Sequence, residues 1–130
     1  MDSRSLLQMG FVPWRKFEEG VERTAPPTRG AYAFRDPNQP STDAASDVVY
    51  IGRANGAQHH LQHCLKEYLH PGYINATKLR MRHKAMEFGW EVSWKTAEDG
   101  AELECQLLQS FKDRYGRLPQ ENRVMPRCPP

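Results

Sequence analysis

The feature that most constrains this chain is the placement of three short strand-like runs. Gly30-Ala31-Tyr32-Ala33-Phe34 sets small and aromatic residues behind a glycine and stops at Asp36-Pro37-Asn38, a turn-forming set. Val48-Val49-Tyr50-Ile51 is mostly β-branched and stops at Gly52. The residues between them, 36–46, are polar or small, so the two runs read as an antiparallel hairpin with a long loop at its tip. The third run lies far along the chain: Trp90, Val92 and Trp94 alternate with Glu91, Ser93 and Lys95, the pattern of a half-buried strand.

Helical periodicity fills the gaps. Leu61, Cys64, Leu65, Tyr68 and Leu69 recur at helical spacing and stop at Pro71-Gly72. A more basic helix is expected over 77–88, with Leu79 and Met86 inward and Gly89 as its stop. Thr96 and Asp99 resemble a capping box ahead of a long amphipathic helix defined by Leu103, Leu107, Leu108, Phe111 and Tyr115, which closes at Gly116 and Pro119. The order β-β-α-α-β-α predicts an α+β domain, a small three-stranded antiparallel sheet flanked by helices. It covers residues 30–122. Residues 1–29, broken by Pro26-Pro27, are expected to pack on that domain with one short helix, and 123–130 form an irregular tail.

Composition narrows the class. The chain has 130 residues, 38% of them apolar and 26% charged, enough for a core without metal or disulfide staples. No apolar run approaches the ~18 residues of a membrane span, and no secretory signal is visible among the first residues. Cys64, Cys105 and Cys128 are odd in number and share no paired spacing, so thiols in a reducing, intracellular (cytoplasmic) setting are expected.

The formal net charge of +2 hides an asymmetry. Residues 53–90 hold six Lys or Arg against two acidic groups, plus all five histidines. Such a basic middle suits a phosphate backbone, although the commoner fate of a charge run is a solvated face. Arg53, Lys66, Lys78, Arg80, Arg82 and Lys84 are the candidate nucleic-acid contacts.

Two strands that each set a Tyr close to a Gly, a carboxylate early in the last helix and a closing Asn form a pattern. Gly30-Ala31-Tyr32, Tyr50-Ile51-Gly52, Glu104 ahead of Leu107-Leu108, and Pro119-Gln120-Glu121-Asn122 resemble the GIY-YIG nuclease family in order and register. The likeness runs from about residue 30 to residue 122. It implies a metal-dependent endonuclease that hydrolyses DNA phosphodiester bonds, with double-stranded DNA as the partner. It also implies Mg²⁺ (or Mn²⁺) held by Glu104, Tyr32 and Tyr50 orienting water and phosphate, and Asn122 supporting the site. Mg²⁺ keeps much of its hydration, so one carboxylate with waters and phosphate oxygens is a sufficient ligand set. Glu102 ranks second as that carboxylate. Against these roles stand the ordinary fates of the same residues: tyrosines packed in a strand, a helix-surface Glu near the positive end of the dipole, and an Asn capping a turn.

One departure matters. The family places an Arg on the helix after Tyr-Ile-Gly, and this chain has none there. Counting from Tyr50 puts His60 at that position, whereas matching Leu65-Tyr68-Leu69 puts Cys64 there. Neither is a permanent bidentate cation. The alternative function is therefore a non-catalytic nucleic-acid-binding or interaction module that keeps the fold. No separate sequence-reading element is visible, so specificity would come from a partner protein or a homo-oligomer. His59 and His63 have the i,i+4 spacing of a helical metal chelate, but nothing else completes a tetrahedral set at a recognisable spacing, so they read as solvated or phosphate-facing.

Overall fold

A computed structural model describes residues 1–72 and 75–128. Its elements are α1 (Ser3–Gln8), β1 (Arg15–Lys16), β2 (Gly30–Arg35), β3 (Val48–Ala54), α2 (Leu61–Leu69), α3 (Ala76–Phe88), β4 (Glu91–Thr96) and α4 (Gly100–Tyr115). The mixed α+β class is as expected, but the sheet has four antiparallel strands, ordered β1-β4-β2-β3. The added strand is an edge of two residues, Arg15 opposite Val92 and Lys16 opposite Glu91. Two exposed basic residues carry no alternation, so only the pairing with β4 defines it.

β2 is one of the two inner strands, and the expected hairpin forms, with Tyr32 opposite Gly52 and Phe34 opposite Tyr50. The register skips Val49, a bulge that leaves Val49 and Tyr50 both packed on one core. Strand alternation sorts the side chains by size. Ala31 and Ala33 face α4, where Leu107, Leu108 and Phe111 close a core with Ile51, Val48 and Leu6. Tyr32 and Phe34 face the other way, into a core shared with Leu65, Tyr68, Met81, Trp90 and Trp94.

The helices start and stop for local reasons. His60 caps α2 by accepting the His63 N–H at 3.2 Å through Nδ1. Asn75 caps α3, which ends at Gly89 with φ +65°. α4 is capped by Asp99 accepting the Glu102 N–H at 3.0 Å, so the Thr96–Asp99 box gives way to Asp99 alone, Thr96 being the last residue of β4. α3 also differs from expectation. Met81 and Ala85 are its buried residues, and Met86 is 46% exposed, because the helix presents the 81/85 stripe to the core.

Cys105 and Cys128 are joined as a disulfide, against the expectation of unpaired thiols. A single bond between a helix and an irregular tail has no spacing signature. It tethers residues 116–128 to α4 across a separation of 23 residues, worth about 3 kcal/mol by loop closure. Cys64 is the free cysteine. No helix among the described residues is long and apolar enough to cross a membrane.

Candidate functional site

The site grows from the β2–β3 hairpin. A side chain at Gly52 would run into Tyr32, whose Cζ lies 2.5 Å and whose hydroxyl lies 2.6 Å from where a Cβ would sit. The glycine after Tyr50-Ile51 therefore lets the Tyr32 ring lie across the neighbouring strand. From there Tyr32 meets Tyr68 of α2, hydroxyl to hydroxyl at 3.1 Å, a residue the sequence did not single out for the site. Tyr50 completes a trio, its ring centroid 6.3 Å from that of Tyr32 and 6.4 Å from that of Tyr68. Burial pushes the Tyr32 and Tyr68 phenols well above their ordinary range, and raises Tyr50 against the effect of the nearby Tyr68 hydroxyl. The negative charge of Glu104 adds to the rise at Tyr50. All three are therefore neutral at physiological pH, able to donate hydrogen bonds but not to act as general bases.

Two clefts flank this trio. One, about 360 Å³, is lined by Tyr50, Arg53, Arg80, Glu104 and Asn122. The other, about 480 Å³, is lined by Tyr32, Arg53, Cys64, Glu67, His59 and Lys78. Arg53, exposed at the end of β3, is common to both. The expected gathering of two phenols and one carboxylate is thus split: Tyr50 and Glu104 share the first cleft, and Tyr32 opens on the second.

Glu104 is 8% exposed, and no hydrogen bond or ion pair reaches its carboxylate among the described residues. Burial raises its pKa, with Arg53 opposing the rise. The residue is buried as a whole, but its carboxylate oxygens open onto the cleft, where they are free to take a cation together with water. Glu102, two residues away, is exposed on a different surface with Asp99 and Lys95 and does not enter the cleft.

Asn122 takes a different part from a cap. Its Oδ1 accepts the Ile51 N–H and its Nδ2 donates to the Ile51 carbonyl, each at 2.9 Å. Beside it the Glu121 N–H donates to the Val49 carbonyl at 2.9 Å. The segment after Pro119 is thereby clipped to the outer edge of β3, and the Asn122 amide is spent on holding the strand that carries Tyr50.

Cys64 and His60 part company. Cys64 lies in the cleft of Tyr32, where burial pushes its thiol up to about 11, so it is neutral. His60 lines a separate cleft with Lys66, Glu19, Glu22 and His70. Several of the basic candidates are already engaged. Lys78 donates to Glu67 at 2.7 Å and sits 5.2 Å over the Tyr68 ring. Lys84 donates to the buried Glu121 at 2.9 Å. Arg80 has Nη2 3.7 Å from Glu121, yet its Nε and Nη2 are buried without hydrogen-bond partners. The Arg82 Nε is likewise buried and unpartnered. Arg53 and Lys66 are exposed.

The sequence reading of Arg80 as a backbone contact missed that it faces the same cleft as Glu104. Only the packing of α3 against the segment after Pro119 places it there. Comparison with known proteins finds no matching family model, curated protein or solved structure.

Proposed function

We propose that this protein is a divalent-metal-dependent nuclease acting on DNA phosphodiester bonds, in the manner the GIY-YIG resemblance implies. The observation that carries the reading is Glu104: a carboxylate that opens onto a cleft without a protein partner among the described residues, in the company of Tyr50, Arg53 and Arg80. Mg²⁺ or Mn²⁺ bound through Glu104 and water would supply charge stabilisation at the phosphorus and an acidified water. The chain's own residues do the rest. Arg53, exposed at the mouth of the cleft, binds the phosphate oxygens, and Arg80, which lines the same cleft, adds positive charge, partly standing in for the missing helix Arg. The neutral Tyr50 phenol donates a hydrogen bond that orients phosphate or water, and Asn122 keeps its strand in place. Of the two candidate positions for the family Arg, Cys64 is the one that shares the cleft of Tyr32 and Arg53, and its neutral thiol leaves the chemistry weakened in this reading, since one lost transition-state donor costs about 10²–10³ in rate.

The test is nicking of supercoiled plasmid with Mg²⁺ or Mn²⁺. Slow wild-type cleavage is expected, abolished in Glu104→Ala and accelerated in Cys64→Arg, while His60→Arg, in another cleft, changes nothing. Absence of product from both the wild type and Cys64→Arg overturns the reading. A second reading, a DNA-binding module without catalysis, is favoured by the Tyr32 hydroxyl being engaged by Tyr68. It predicts salt-dependent, sequence-tolerant binding without product. Lack of binding even at ~50 mM salt would point to a protein partner instead.

A further inference from the structure

We propose that His59, His63 and Glu67 form a binding site for a borderline divalent metal, Zn²⁺ in the first instance, separate from Glu104. The three residues run along one side of α2, from just before its first turn to its last. His63 and Glu67 are one helical turn apart, and His59 stands just ahead of the cap residue His60. Their ligand atoms lie within 4.8 Å of one another. The His63 Nε2 is 2.9 Å and the His59 Nδ1 is 3.6 Å from the same Glu67 oxygen, Oε1. Metal bonds of 2.0–2.1 Å in a tetrahedron put neighbouring ligands about 3.3 Å apart, so small side-chain rotations seat an ion.

Three observations favour a metal over a simple ion pair. Glu67 already has its counter-charge: Lys78 donates to the other oxygen, Oε2, at 2.7 Å. Two further ring nitrogens aimed at Oε1 add little as a salt bridge but make up the two-imidazole, one-carboxylate set of open zinc sites. Lys78 also fixes the carboxylate's orientation, as outer-shell partners of metal ligands do. Finally, His59 and Glu67 line the cleft that holds Tyr32 and Arg53, so an exchangeable fourth ligand, water or an anion, has room to enter. Imidazole nitrogens suit zinc and its neighbours rather than the Mg²⁺ assigned to Glu104.

The experiment is calorimetric titration of the untagged protein with zinc chloride alone, with Co²⁺ absorption as a second readout. One ion per chain at micromolar affinity or tighter is expected, with a tetrahedral Co²⁺ spectrum. Glu67→Gln and His63→Ala should each weaken binding by at least about a hundredfold, beyond the 10–100-fold typical of outer-shell losses. Circular dichroism should show both variants folded, as both side chains are partly exposed and neither belongs to the apolar cores. Glu104→Ala should leave zinc binding intact, which separates this site from the proposed nuclease centre. No saturable uptake by the wild type, or uptake unchanged in both ligand variants, overturns the proposal.

Discussion

The two faces of the sheet are built from different materials. Under α4 the core is almost purely apolar: alanines on β2, then Leu107, Leu108, Phe111, Ile51 and Leu6, each at most 2% exposed. Under α2 and α3 the core admits polar atoms, with three phenols, a thiol and two tryptophans in one cluster with Phe34. The alanines let α4 approach closely, and Gly100 at its start has no room for a side chain against the carbonyls of Gly30 and Ala54. The first face supplies stability by close packing, whereas the second surrenders some of it to hold hydroxyls in fixed positions. The candidate chemistry sits where the two meet: Glu104 comes from the helix of the apolar face and Tyr50 from the edge strand β3, which contributes to both.

That contrast can be broken by substitution. The largest effect is expected from Phe111→Ala, which removes a side chain 2% exposed and should cost about 3–5 kcal/mol of stability by chemical denaturation. It should leave any metal affinity at Glu104 little changed, and a small loss instead would mean the apolar face is loosely packed. Gly52→Ala comes next. The new methyl must displace the Tyr32 ring, with an expected cost of about 1–3 kcal/mol and loss of the Tyr32–Tyr68 hydrogen bond. Its signature is a rise in the exposure of tyrosine to solvent, read by ultraviolet difference absorption.

The smallest stability effect should carry the opposite sign. Burial raises the Glu104 pKa, so the folded state holds that proton more tightly than the unfolded one. Its contribution is fully present below the ordinary Glu pKa of about 4.3 and is lost as pH rises through the raised folded value. Glu104→Gln should therefore melt higher than the wild type at neutral pH without divalent metal, with the difference vanishing toward acid. The same variant should not nick DNA. A melting temperature that falls at pH 7 would mean that Glu104 has a partner in the folded protein.

Much of the local structure was legible beforehand. The alternation of Trp90, Val92 and Trp94, the stop at Pro71-Gly72 and the apolar spacing of Leu61 to Leu69 all concern neighbours in sequence, and sequence periodicity reports such neighbours directly. The antiparallel hairpin was legible for the same reason, its strands being adjacent in the chain, whereas its register, with Tyr32 opposite Gly52, came only with the structure. Of the stripe His59, His63, Glu67 only the two histidines stood out at a spacing of four; Glu67 carries no metal signal until its carboxylate is seen to face both rings.

The remainder depended on contacts between distant parts of the chain. Arg15–Lys16 became a strand because β4 left an edge for it, and Cys128 found Cys105 because the tail folds back along α4. Asn122 bound Ile51 across 71 residues, a pairing no local preference encodes. By itself the sequence determined the elements and the residue types able to do chemistry, since propensity and periodicity act over a few positions. Tertiary structure alone decided which of those residues share a cleft, because side-chain convergence is set by strand order, helix packing and the return of the tail.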